Sequence, residues 1–180
     1  MRVIAGRLGG RRLKAPAGTV TRPTSDRVRE ALFGMLADVD SAVVLDLFAG
    51  TGALGIEALS RGAARAVFVE RDRRVAQVLS ENLAVLALTP DLAEVRREDV
   101  LAALRSASAR KETYDLIFID PPYRQAPAWG PGLSPLLASV LGAGARVVVE
   151  SDRRAPLELA LDVERTRRYG DTSITIHRHP

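Results

Sequence analysis

The chain has 180 residues, 47% hydrophobic and 27% charged, which suits one globular domain with a sizeable core. It has no cysteine and two histidines, His177 and His179 at the C-terminus, which argues against a disulfide framework, a thiolate metal site, a Ser-His-Asp triad and any metal requirement. Residues 1–30 hold eight basic side chains against Asp26 and Glu30, whereas the whole chain holds 26 against 22, and such a basic arm on a near-neutral body fits either a polyanionic partner or a solvated tail.

Residues 1–20 predict a small hairpin or extended arm. Arg2-Val3-Ile4-Ala5 and Arg12-Leu13-Lys14-Ala15 flank the turn signal Gly9-Gly10, and Pro16 and Gly18 close the arm. Residues 21–180 read as one further unit. Thr24 or Ser25 caps a helix with Val28, Ala31, Leu32, Met35 and Leu36 at helical spacing, leaving Arg27, Arg29 and Glu30 mainly on its other face. From residue 43 strands alternate with helices. An apolar strand over 43–48 leads through a glycine-rich turn to a helix over 53–61 and a strand over 66–70. A helix follows with Val75, Val78, Leu79, Leu83 and Leu86 on one face and Asn82 assigned to its surface. Next come a weaker strand over 93–96, a helix over 100–109 and a strand over 114–119. A Pro/Gly-rich loop over 125–132, where the role of Trp129 stays open, precedes a helix over 135–141 and strands over 145–150, 161–168 and 172–177. Arg165, Arg167 and Arg168 read as an exposed strand face, and His177 and His179 as terminal surface.

This order predicts an α/β fold with a mainly parallel sheet and helices on both faces. Ligands of such sheets bind beyond the carboxyl ends of the strands. Asp46, Glu70, Asp99 and Asp120 all fall there. Gly50, Gly52 and Gly55 match G-x-G-x-x-G, which by itself fits a dinucleotide site, a methyl-donor site or a tight turn without a ligand. Glu70 can accept both ribose hydroxyls. Asp46 separates the cofactors: a carboxylate repels a pyrophosphate but suits the sulfonium and ammonium of S-adenosyl-L-methionine. Asp99 either accepts from an adenine amino group or caps the next helix, or does both. Phe48, Thr51, Arg71 and Val100 complete the candidate cofactor set, to which Asp120 also belongs.

Asp120-Pro121-Pro122-Tyr123 directly follows an apolar strand, which the two prolines end. Beyond ending a strand, the motif carries chemistry. An exocyclic base amine is a poor nucleophile because its lone pair is delocalised into the ring. The Asp120 carboxylate and the Pro121 carbonyl can accept both amine hydrogens and direct the lone pair toward a sulfonium methyl, while the prolines hold these acceptors in place beforehand. Tyr123 can stack on the base. This chemistry fits adenine N6 and guanine N2 about equally, and the basic arm better suits a folded RNA than a duplex read by sequence. Arg7, Arg11, Arg12, Arg22, Thr24 and Arg27 are the candidate RNA contacts, with Arg22, Thr24 and Arg27 equally open as cofactor contacts or as a cap and surface charges.

Asp46-x-Phe48-Ala49-Gly50-Thr51-Gly52, Glu70 and Asp120-Pro121-Pro122-Tyr123 resemble the Rossmann-like class I methyltransferases that act on amino groups. Arg2-Val3-Ile4-Ala5-Gly6, the segment from Thr21 to Phe33 and Arg168-Tyr169-Gly170-Asp171-Thr172 are more specifically similar to the bacterial RsmD-type enzymes. That resemblance implies a seven-stranded sheet, S-adenosyl-L-methionine as donor, and guanine N2 in 16S rRNA as acceptor (the guanine-966 class) within the small ribosomal subunit or an assembly intermediate. A cytoplasmic monomer with no membrane partner and no metal is expected, since the chain has neither a signal-peptide core nor a run of ~18 apolar residues. The alternatives are an adenine-N6 methyltransferase of nucleic acid, a NAD-dependent oxidoreductase, and a non-catalytic RNA-binding assembly factor.

Overall fold

A computed structural model describes residues 1–16, 25–36, 38–122 and 125–180. Strands β1 (Val43–Leu47), β2 (Arg65–Val69), β3 (Ala93–Arg96), β4 (Tyr114–Ile119) and β5 (Leu141–Asp152) pair in parallel. β7 (Thr172–Arg178) runs antiparallel to β5 and to the edge strand β6 (Val163–Tyr169). Together they form one seven-stranded sheet in the order β3-β2-β1-β4-β5-β7-β6, the predicted mainly parallel architecture. The chain builds outward from β1 to β3 and then returns to place β4 on the other side of β1. The crevice between the β1 and β4 carboxyl ends is therefore the topological switch point where such sheets bind ligands.

Helices α1 (Asp26–Leu36), α2 (Ala53–Ser60) and α3 (Arg73–Val85) cover one face, with Phe33, Ile56, Leu59, Phe68, Leu79 and Phe118 in the core beneath them. Helices α4 (Val100–Ala109) and α5 (Ala126–Leu137) cover the other, over Leu45, Leu47, Val67, Ile117 and Leu133. In β4, Leu116 and Phe118 join the first core and Ile117 and Ile119 the second, as strand alternation requires.

The basic N-terminal segment is a hairpin seated on α2. Val3 N–H donates to Arg11 O at 2.9 Å and Leu13 N–H to Met1 O at 3.0 Å, and Val3 and Leu13 are buried. Glu57 of α2 is wholly buried and accepts from the backbone N–H groups of Ile4 at 2.6 Å and Ala5 at 3.0 Å, and from Arg61 Nε at 2.7 Å. Gly6 has φ +77°, and a Cβ there would stand 1.9 Å from Ser60 O, so only glycine lets the hairpin approach so closely.

Four expectations change. Arg29 does not point away from the core: it is fully buried, and its Nη2 donates to Arg2 O at 2.5 Å and Asp26 Oδ1 at 2.8 Å. The hairpin encloses the helix face that periodicity assigns to solvent. Asn82 is 3% exposed rather than on the helix surface, since Leu79, Asn82 and Leu83 share one stripe of α3. His177 is buried rather than terminal surface, because β7 lies between β5 and β6, and its Nδ1 donates to the Leu161 carbonyl at 3.1 Å. The Pro/Gly-rich stretch is helix α5, which ends at Leu137. Its first proline falls in the opening turn, where a missing N–H costs nothing. Burial of Ala126, Gly130, Leu133 and Leu137 outweighs Pro131 and Pro135 inside the helix.

Candidate cofactor and reaction site

The pairing of Leu47 with Val69 on one side and with Ile119 on the other places Phe48 between the strand ends that carry Glu70 and Asp120. Asp46 is 2% exposed, and its Oδ2 accepts from Gly55 N–H at 2.9 Å at the start of α2. Burial pushes its carboxyl up to about 7, with a further rise from the nearby Glu70 charge that the Gly55 hydrogen bond opposes. Glu70 holds the turn on both sides: Oε2 accepts from Gly50 N–H at 3.1 Å and Oε1 from Asp72 N–H at 2.8 Å.

The three glycines have different tasks. A Cβ on Gly52 would stand 2.4 Å from Leu79 Cδ1 of α3, and one on Gly55 2.3 Å from Phe68 Cε1 of β2, so the first serves close packing of the turn on α3 and the second that of α2 on the sheet. Gly50, at φ +56°, would meet only Phe48 O at 3.9 Å, so it alone of the three borders open space. Two neighbouring carboxylates beside an open backbone turn repel a diphosphate and attract a cation. The donor set fits a positively charged adenosyl ligand and argues against NAD.

Asp99 caps α4, its Oδ1 accepting from Leu101 N–H at 2.9 Å and Ala102 N–H at 3.3 Å. Val100 beside it is buried and Arg71 is exposed. Thr51 is tied from two sides. Its Oγ1 lies 3.7 Å from Met1 Sδ, and its carbonyl accepts from Asn82 Nδ2 at 3.1 Å. The same Asn82 accepts from Lys14 N–H at 2.8 Å and donates to Lys14 O at 3.1 Å. It thus joins the hairpin, α3 and the glycine turn. The 79–82–83 spacing was the available sequence signal for this residue. Asn82→Ala is expected to cost about 1–3 kcal/mol through the unmet backbone groups, read as a lower denaturation midpoint, together with weaker ligand binding at the 50–52 turn.

Asp120 is half-buried and Pro121 buried at the end of β4, while Pro122 is exposed. Tyr123, Arg22 and Thr24 lie outside the described residues. Ser25 serves as the α1 cap, its Oγ accepting from Val28 N–H at 3.3 Å. Phe33 meets Phe118 at 5.8 Å and the Leu36 carbonyl accepts from Arg146, so α1 runs antiparallel to β4 and carries exposed Arg27 to the Asp120 edge. Arg7 sits elsewhere: its N–H donates to Ser60 O at 2.8 Å, at the end of α2 remote from the glycine turn. Arg11 and Arg12 are exposed along the hairpin, with Arg12 opposite Arg2. Among the described residues no cluster of His, Cys, Asp or Glu could hold a metal, and no helix is long and apolar enough to cross a membrane.

The state of Asp46 has a thermodynamic signature. Its pKa in the folded chain lies above its ordinary value, so between about pH 4 and pH 7 the folded chain keeps a proton that the unfolded chain has released. This group therefore makes stability fall as pH rises through that window. Asp46→Asn is expected to flatten that part of a pH series of melting curves.

A profile of the family described as "Conserved hypothetical protein 95" matches residues 1–178. The chain is 43% identical over 187 residues to the Bacillus subtilis protein named "Putative rRNA methyltransferase YlbH", covering 99% of this chain and 98% of that one. It is 46% identical over 127 residues to "Ribosomal RNA small subunit methyltransferase D" of Escherichia coli K12, across 69% of this chain and 61% of the relative. The solved structure "Putative methyltransferase yhhF from Escherichia coli" superposes with a TM-score of 0.85 at 36% identity, covering 99% of this chain and 97% of that one. An RNA methyltransferase from Salinibacter ruber, solved with S-adenosyl-L-homocysteine, shares the fold at a TM-score of 0.67 and 24% identity, over 88% of this chain and 94% of that one. The chain belongs to the conserved hypothetical protein 95 family, the RsmD-like group within the Rossmann-like methyltransferase fold.

Proposed function

We propose that the chain transfers a methyl group from S-adenosyl-L-methionine to the exocyclic N2 of a guanine in 16S rRNA, within the small ribosomal subunit or an assembly intermediate. The observation that carries this reading is the placement of Asp120-Pro121-Pro122 beside Asp46, Gly50 and Glu70 at the switch point of the sheet. The family relatives named for small-subunit rRNA methylation support the RNA class, and the exposed arginines of the hairpin and of α1 suit a phosphate backbone.

Glu70 takes the ribose hydroxyls, Asp46 attracts the cationic methionyl end, and Asp99 with Val100 borders the adenine. When bound, the cofactor supplies an electrophilic methyl on a positively charged sulfur. The Asp120 carboxylate and the Pro121 carbonyl accept the two amine hydrogens and turn the nitrogen lone pair outward. The prolines keep these acceptors rigid, so little ordering remains to be done during reaction. Methylation makes the nitrogen acidic, and Asp120 is placed to receive the departing proton.

Asp46 ties affinity to pH. A cationic ligand favours its ionised form, so affinity is expected to rise as pH increases through about 7 and then level off. Asp46→Asn should remove that rise in calorimetric titrations with S-adenosylmethionine, whose sulfonium carries the positive charge.

The reading is tested with labelled S-adenosylmethionine and small subunits from a strain lacking the enzyme. N2-methylguanine in the digested RNA is the expected product. N6-methyladenine would move the target to adenine, and cofactor binding without any methylated base would leave an assembly factor instead of an enzyme.

A further inference from the structure

Trp129 plays no part in the chemistry above, yet it stands where the site is built. It lies near the start of α5, the helix that follows Asp120-Pro121-Pro122, and like Phe48 and Leu101 it packs against the margin of the second core. Its ring meets that of Phe48 edge-on, with centroids 4.9 Å apart and planes at 72°. Phe48 has φ +63°, a left-handed conformation that is costly for a bulky residue and persists only where its surroundings hold it. The T-shaped contact with Trp129 is part of those surroundings. Trp129 is only partly buried, so part of its ring stays open.

The packing also says which side of the site Trp129 serves. α5 leans on α4, where a Cβ on Gly132 would stand 3.5 Å from Leu101 Cδ1. The N-terminus of α4 carries Asp99 and Val100, and Phe48 neighbours the strand end that carries Glu70. Asp99, Val100 and Glu70 are the adenosine contacts of the proposed function, on which this inference rests. We propose that Trp129 is the aromatic wall on the adenosine side of the cofactor site, fixing Phe48 and offering its open face to the purine. Purines stack well on aromatic faces, and methionyl groups have no such need.

Trp129 is the sole tryptophan of the chain, so emission from the intact protein reports on this position. S-adenosylhomocysteine and adenosine are expected to change that emission in step with calorimetric binding, and methionine to leave it unchanged. Trp129→Leu keeps apolar bulk but loses the aromatic face, and should raise the Kd for S-adenosylhomocysteine about tenfold. Trp129→Phe should restore it to within about threefold. A purely structural tryptophan would lower the melting temperature of Trp129→Leu without moving that Kd. Emission indifferent to bound S-adenosylhomocysteine, or an unchanged Kd in Trp129→Leu, overturns the inference alone. Absence of any binding heat with adenosine compounds would remove the methyltransferase reading and the inference together.

Discussion

Asp120→Ala is expected to slow methyl transfer about a hundred- to a thousandfold, while S-adenosylhomocysteine binds within a few-fold of the unaltered protein. The carboxylate is asked to act mainly on the amine, whose demand for oriented acceptors is greatest as the nitrogen attacks. The turn proposed to meet the cofactor is held by other bonds, from Gly50 N–H to Glu70 and from Asn82 Nδ2 to the Thr51 carbonyl, which this substitution leaves alone. Asp120→Asn keeps one acceptor oxygen but turns an NH2 donor on the site, so it should recover little of the rate. Single-turnover rates on small subunits, set beside calorimetric Kd values, separate the two effects. Equal losses in both would make Asp120 a cofactor-binding group instead.

Glu57→Ala should have the largest effect on stability. One buried carboxylate satisfies two hairpin N–H groups and pairs with Arg61. Removing it leaves buried donors and a charge without their acceptor, at about 3–5 kcal/mol. For a chain of this size that lowers the melting temperature by about 10 °C. Because the hairpin also reaches the glycine turn through Asn82, the variant should bind S-adenosylhomocysteine more weakly even below its melting transition. A melting temperature within a degree or two of the unaltered protein would show that the hairpin is held mainly by burial of Val3 and Leu13.

The order of strands and helices, the carboxylates at strand ends and the acid-Pro-Pro motif were legible in the sequence. Each depends on local rules: an apolar run long enough for a buried strand, a glycine where the chain must turn into a helix, and prolines that cannot continue a ladder. Position within a parallel sheet then follows, since every β-to-α turn must emerge at the same edge. The division of labour among Gly50, Gly52 and Gly55 was not legible, because it depends on which glycine packs against Leu79 of α3 and which against Phe68 of β2. The α5 helix was missed for a related reason: burial overrode a sequence rich in proline and glycine.

Arg29, Glu57 and the partners of Asn82 show most clearly what local pattern leaves out. Periodicity reports which face of a helix meets the sheet. It is silent about a hairpin from the other end of the chain covering the opposite face, and that cover is what buries Arg29 and gives Glu57 and Asn82 their partners. The sequence by itself determined the fold class, the carboxyl edge of the sheet as the candidate site and the Asp46, Glu70 and Asp120 carboxylates that stand there. Only the tertiary structure decided that the basic N-terminal segment is fastened to the glycine turn, with Arg7 remote from that turn and Trp129 against Phe48, because contacts between distant segments are set by packing and carry no short-range signature.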